Sequence, residues 1–214
     1  MTSLATRAVV NLLYHSPFNP KSTDNPDDAV VNLVEGPNAI PPGRALDLGC
    51  GSGRHSIYLA RNGWDVTGID LVKDAVENAR EKAIEAGVAP HLIQGDVTEL
   101  HKLGVPDGNT LIVDAGCFHG LPSKLRDAYV PEVTNVAAPG ALLLILGLAK
   151  HPVLKGVKAN ELRRRFRGWT LISAESVAGD EMLRYGDGSP MLRKAFEKGW
   201  FDPWRYLLRF NGNV

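Results

Sequence analysis

Between residues 44 and 149, short apolar runs alternate with stretches whose apolar residues recur every three or four positions. Runs of the first kind predict buried strands, and stretches of the second kind predict amphipathic helices. Strands are expected at 44–48, 64–69, 91–95, 110–113 and 141–148. Helices are expected at 54–62, ended by Gly63, at 74–86, closed by Gly87, and at 123–137. The last should kink or split at Pro131, which has no N–H for the helical ladder. Pro139 and Gly140 read as the turn into the fifth strand, whose Leu and Ile run predicts burial on both faces. Strict alternation of strand and helix implies a doubly wound, parallel α/β sheet.

The flanks follow different rules. Leu4, Ala5, Ala8, Val9, Leu12 and Leu13 fall on one helical face, and residues 15–28 form a loop rich in Pro, Asn and Asp. Asp28 is placed to cap a short helix through Val34, stopped at Gly36. Residues 1–40 thus read as an N-terminal helical cap, or lid, on a core spanning 41–214, all in a single domain of 1–214. Beyond residue 150 the pattern gives a loop at 151–160, a short basic helix at 161–166, and strands at 169–177 and 204–210. Residues 179–200 carry no assignable period. Two late strands without a crossover helix predict an antiparallel pair at the sheet edge.

Composition narrows the class. The chain has 214 residues, 44% of them hydrophobic and 22% charged, as an ordinary soluble domain has. Its formal net charge is zero, which argues against nucleic acid as the partner, since phosphate contacts need a basic face. The two cysteines, Cys50 and Cys117, lack metal-ligand spacing, so no metal and a reducing compartment are expected. The longest apolar run, 141–149, is far short of the roughly 20 residues of a membrane span. Residues 4–13 lack the features of a signal peptide. The expected location is the cytoplasm, with no membrane partner. Oligomeric state is not encoded in any of this.

The chemistry concentrates where strands end. Gly49, Gly51 and Gly53 follow the first strand at alternate positions, so the main chain there can turn tightly and approach a ligand. The spacing departs from the Gly-x-Gly-x-x-Gly of a dinucleotide cradle, with His55 and Ser56 where the third glycine would fall. Asp47 lies inside the first strand, and Asp70, Asp96 and Asp114 end the second, third and fourth. An acid at Asp70 suits ribose hydroxyls. Asp96 suits an exocyclic amine, with the Val97 N–H for a ring nitrogen. Four carboxylates would repel a pyrophosphate and attract an adenosine that carries positive charge, which describes S-adenosylmethionine. A dinucleotide oxidoreductase remains the alternative, since Asp70 fits it too.

Three runs together, Ala45-Leu-Asp-Leu-Gly-Cys-Gly-Ser-Gly-Arg54, Gly63-Trp-Asp-Val-Thr-Gly-Ile-Asp70 and Gln94-Gly-Asp-Val97, resemble the class I S-adenosylmethionine-dependent methyltransferases. Within these, the likeness is to the small-molecule branch that includes thiopurine- and tellurite-type enzymes, and it covers roughly residues 44–149. It implies a seven-stranded, mostly parallel, Rossmann-like sheet whose last strand is reversed. It also implies that Gly49, Gly51 and Gly53 line the methionine portion of the cofactor, with Asp47 orienting it. Asp70 and Leu71 would hold the ribose, Asp96 and Val97 the adenine, and carbonyls near Asp114 and Ala115 the ammonium group. The acceptor would be a small molecule with an N, O or S nucleophile. A macromolecular acceptor is the other possibility within the family.

Methyl transfer from a sulfonium is an in-line displacement, so alignment and exclusion of water supply most of the rate. A base is needed only when the acceptor must lose a proton. The related enzymes often carry Phe-His-His after the fourth strand; here the run is Phe118-His119-Gly120. His119 is the candidate base, and Cys117 reads as an apolar wall. Tyr14, His15 and Phe18, with His151, Pro152 and Leu154 after the fifth strand, are the expected roof of the acceptor pocket. Arg163, Arg164, Arg165 and Arg167 read as the solvated face of a short helix. Trp200, Phe201, Trp204 and Tyr206 are expected against the sheet edge.

Overall fold

The structure is a computed structural model, and it describes residues 12, 15, 23–150, 156–185 and 190–212, with backbone only at 191 and 192. The expected first helix at 4–13 lies, apart from Leu12, outside these residues. Helix α1 spans Asp28–Glu35. Its N-cap is Asp27, not Asp28: the Asp27 carboxylate accepts the Ala29 N–H at 2.8 Å, the usual way to satisfy an orphan donor of a first turn. Then follow β1 (Arg44–Leu48), α2 (Arg54–Arg61), β2 (Asp65–Asp70), α3 (Lys73–Glu85), β3 (His91–Gln94), a single 3₁₀ turn (Leu100–Leu103) and β4 (Asn109–Ala115). A four-residue helix α4 (Cys117–Gly120), α5 (Ser123–Val136) and β5 (Ala137–Lys150) complete the alternating part. The remainder is α6 (Ala159–Arg165), β6 (Trp169–Ser176), α7 (Gly179–Tyr185), α8 (Pro190–Glu197) and β7 (Asp202–Phe210).

The seven strands form one sheet in the order β3-β2-β1-β4-β5-β7-β6. Strands β1 to β5 are parallel, and β7 runs antiparallel to both β5 and β6. The seven-stranded α/β sheet with a reversed last strand is therefore present. Two expectations need correction. Helix α5 is not divided at Pro131, which sits inside it. The missing N–H costs one ladder bond, and apolar anchoring by Tyr129, Val133 and Val136 holds the helix on either side. Strand β5 starts at Ala137, so Pro139 and Gly140 lie within it; a register shift against Asn109/Leu111 absorbs them.

Helices cover both faces. On one, Val30 of α1 and Leu59 of α2 pack on Val66, Leu111, Val113, Leu142 and Leu144. On the other, Tyr129 and Val133 of α5, Leu162 of α6 and Phe166 pack on Leu46, Leu48, Ile112, Leu143, Ile145 and Tyr206. The stretch 179–200, unreadable in sequence, holds α7 and α8. Because β6 points the same way as β5, this helical pair follows the edge of the sheet where the parallel strands end. It connects β6 to β7, so the late antiparallel pair does have helices in its connection. Trp204 and Tyr206 stack on β7, whereas Trp200 is 48% exposed with Lys198 over its ring.

Candidate functional site

The turn after β1 anchors the site. Gly49 (φ 72°), Gly51 (φ 55°) and Gly53 (φ 84°) all adopt left-handed angles, which a residue with a side chain takes at a cost of about 1–2 kcal/mol. They serve different neighbours. A Cβ on Gly49 would stand 2.8 Å from Cys117 Cβ, and one on Gly53 2.9 Å from Ala79 Cβ, but one on Gly51 meets nothing within 4 Å. Two glycines thus let the turn close onto α4 and α3, and the third leaves main chain bordering open space. That space is a cradle a side chain would fill, so the turn fits a ligand laid across it.

Asp70, at the end of β2, locks this turn. Its Oδ2 accepts the Gly51 N–H at 2.9 Å and its Oδ1 the Val72 N–H at 2.9 Å. Each oxygen keeps lone-pair capacity for a further donor. Burial raises its pKa, while these N–H groups and that of Leu71 oppose the rise. The Leu71 carbonyl accepts Gln94 Nε2 at 3.4 Å. Asp96 is 5% exposed and Val97 6%; Asp96 Oδ1 accepts both the N–H (3.0 Å) and the hydroxyl (2.7 Å) of Thr98.

Asp47 and Asp114 lie beneath the edge, not on it: they are 1% and 0% exposed. Asp47 accepts the Ser56 hydroxyl at 2.7 Å. Burial pushes its pKa up to about 6, with Ser56 and Arg54 acting in the other direction. Asp114 accepts the N–H groups of Cys117 and Phe118, each at 3.0 Å, and the Tyr129 hydroxyl at 2.7 Å. Burial pushes it, too, up to about 6. The expected fringe of four carboxylates is therefore a buried layer at three positions, with Asp70 the partly open one. Asp114 acts through its carboxylate as an inward brace for α4, and the adjoining Ala115 is half-buried at the end of β4.

His119 follows on α4. A Cβ on Gly147 of β5 would stand 3.3 Å from His119 Cβ, so the ring is seated against β5 by the missing side chain there. Burial and the neighbouring carboxylates, Asp114 first among them, push the Cys117 thiol well up, as a wall residue requires. Among the acceptor candidates, His15 is exposed and its Nε2 lies 3.3 Å from Asp74 Oδ2 at the start of α3, so its described contact is on the β2–α3 side. Tyr14, Phe18, His151, Pro152 and Leu154 lie outside the described residues. In the basic cluster, Arg163, Arg164 and Arg167 are exposed and Arg165 is tied to Glu161, Asp127 and Ser123. Among the described residues, no group of three His, Cys, Asp or Glu side chains could hold a metal ion, and no helix is long and apolar enough to cross a membrane.

Sequence reasoning missed two groups. Arg54 opens α2 directly after the glycines, donates to the Tyr185 carbonyl at 3.3 Å and lies 5.5 Å from the Tyr185 ring centroid. A cation at a helix N-terminus opposes the macrodipole, and that mismatch was the available signal for a partner. Beside it, Asp27 takes both Arg205 Nε (2.9 Å) and Nη2 (3.0 Å), and its N–H donates to His55 Nε2 at 3.2 Å. Burial, with Arg54 next, holds His55 neutral far below its ordinary pKa. Thr23 N–H donates to the Tyr185 carbonyl at 3.1 Å, so α7 and the segment before α1 are clasped beside the glycine turn. These partners sit far apart in sequence and carry no local signature.

The chain matches the family described as a methyltransferase domain over residues 45–140. It is 31% identical over 177 residues to a 2-heptyl-1-hydroxyquinolin-4(1H)-one methyltransferase of Mycobacteroides abscessus, covering 79% of this chain and 75% of that one. It is 33% identical over 145 residues to ribosomal RNA small subunit methyltransferase C of Alcanivorax borkumensis, covering 66% of this chain and 43% of the relative. In fold it superposes, with a TM-score of 0.70 and 18% identity, on 1,6-didemethyltoxoflavin-N1-methyltransferase of Burkholderia thailandensis, covering 96% and 87% of the two chains.

Proposed function

The chain belongs to the class I S-adenosylmethionine-dependent methyltransferases, and on that premise we propose that it methylates a nitrogen, oxygen or sulfur atom of a small molecule. Membership retires the oxidoreductase alternative. S-adenosylmethionine, when bound, supplies a methyl group on a sulfonium already activated for displacement. The observation that carries the reading is the open main chain at Gly51 braced by Asp70. In this reading Gly49, Gly51 and Gly53 shape the methionine side, and Asp47 stiffens their turn through Ser56. Asp70 and Leu71 meet the ribose. Asp96 and Val97 meet the adenine. Carbonyls at Asp114 and Ala115 receive the ammonium group.

His119 borders the acceptor and accepts a proton when the acceptor carries one. Tyr14, His15, Phe18 and His151 are assigned to the acceptor side on sequence grounds. The M. abscessus relative, a methyltransferase of a hydroxyquinolone, supports a small acceptor, as does zero net charge. Residues 1–40 as cap and 41–214 as core make one domain in this reading. Two free cysteines, Cys50 and Cys117, support a reducing cytoplasm.

The test is S-adenosylhomocysteine release from a panel: 2-heptyl-1-hydroxyquinolin-4(1H)-one, phenols, thiols, aromatic amines and a ribosomal RNA fragment. Turnover of a small compound is expected; turnover of the RNA alone would overturn the acceptor class. Calorimetry with S-adenosylhomocysteine tests the cofactor residues separately. Asp70→Ala is expected to weaken binding by about 1–3 kcal/mol, the loss of a hydrogen bond to a charged group; unchanged affinity would refute the ribose assignment.

A further inference from the structure

Arg126 is 1% exposed, the bulkiest of the fully buried side chains among the described residues. Burying a guanidinium costs several kcal/mol unless its donors are met, and an apolar residue of similar size would anchor α5 without that cost. The donors are met by main chain from two separate segments. Nη2 donates to the His119 carbonyl at 2.6 Å and Nε to the Leu121 carbonyl at 2.9 Å, both in the turn after β4. Nη1 donates to the Gly156 carbonyl at 2.8 Å, in the chain returning from β5, and to the Glu161 carboxylate at 3.0 Å. One helical turn further along α5, Tyr129 donates to Asp114 at 2.7 Å, so the helix grips the β4 turn at both ends.

Gly156 itself is fixed: a Cβ there would lie 2.6 Å from the Ala149 carbonyl oxygen, and Val157 N–H donates to the Leu148 carbonyl at 2.8 Å. His119 meets the same end of β5 through Gly147. Segments 119–121 and 156–161 therefore converge on one guanidinium, and 147–149 of β5 packs against both of them. Its planar fork can serve several acceptors at fixed angles, which an ammonium cannot.

We propose that Arg126 is a positioning residue for methyl transfer: it sets the turn bearing His119 and the chain returning from β5 in one fixed relation, so that they present a single acceptor-facing wall. This rests on the reading above that those segments flank the acceptor.

The full chain with bound S-adenosylhomocysteine provides the test, through Arg126→Lys, which keeps the charge but cannot span both segments. Calorimetry should give a dissociation constant for S-adenosylhomocysteine within twofold of wild type. The His119 ring 1H–13C resonance should shift, and amide exchange should quicken in 116–122 and 156–161 together. With 2-heptyl-1-hydroxyquinolin-4(1H)-one, or whichever panel compound is methylated, kcat should fall at least tenfold. Gly147→Ala sets a Cβ 2.8 Å from Val157 Cγ1 and 3.3 Å from His119 Cβ, so it presses on both segments from the β5 side, and it is the second variant should Arg126→Lys not fold. Unmoved resonance and exchange in a folded Arg126→Lys would overturn the proposal, with or without turnover. Shifted resonance and exchange with kcat within twofold would instead overturn the acceptor placement on which it rests.

Discussion

The turns after β1 and after β4 stand at the same edge of one sheet and are held in different ways. The β1 turn is held by near neighbours in sequence: Ile69 accepts from Gly49 and Cys50, Asp70 from Gly51 across 19 residues, and Asp47 from Ser56 across nine. The β4 turn is held by its own Asp114, which accepts the Cys117 and Phe118 N–H groups, and by Arg126, whose bonds to His119 and Leu121 span seven and five residues while its bond to Glu161 ties the turn to a segment 35 residues on. Beside the β1 turn, the segment before α1 is joined to β7 by Asp27 and Arg205, 178 residues apart. A site made of main chain is written locally. A site made of long side chains exists only once the fold has gathered them.

The sharpest test of that contrast lies within the glycine turn. Gly49→Ala sets a Cβ 2.8 Å from Cys117 at φ 72°, so strain and overpacking should destabilise the fold by about 2–5 kcal/mol in urea unfolding. Gly51→Ala has room and should lose only about 1–2 kcal/mol of stability, while binding of S-adenosylhomocysteine weakens at least tenfold by calorimetry. Equal behaviour of the two would dissolve the division between packing glycine and binding glycine.

Next comes the clasp. Asp27→Ala removes an N-cap and leaves the half-buried Arg205 with Glu181 alone, and should cost about 2–4 kcal/mol in the same unfolding assay.

The smallest effect concerns protons. Burial raises the folded pKa of Asp47 from its ordinary 3.8 to about 6, so between about pH 4 and 6 the folded chain holds more protons than the unfolded one. That contribution is present below pH 4 and is lost as pH rises through 6. Asp47→Asn should therefore gain about 1–3 kcal/mol relative to wild type between pH 4.5 and 7.5, read as the difference between two urea midpoints. A difference independent of pH would remove the buried charge from the account.

The same contrast explains what could be read before the structure. Residues 44–113 were legible because each strand is a short apolar run closed by Gly or Asp, and β1 lies at 44–48 as expected. The ends of β5 were not, because Pro139 and Gly140 usually break a strand and only the shift against Asn109 accommodates them. The helices α7 and α8 were not, because much of what fixes α7 is polar contact with Asp28 and Arg205, and no apolar period records it. The acids lie along the strands where the sequence sets them, but their depth was not legible: nothing in Val113-Asp114-Ala115 says that the carboxylate turns inward to Tyr129.

The reversed strand sets a timetable. Among the described strands, β6 is hydrogen-bonded to β7 alone, and β7 is also the later of the two to leave the ribosome. Until Phe210 emerges, the outward edge of β5 and all of β6 lack their neighbour, so the nascent chain must shield an incomplete sheet while its final strand is made.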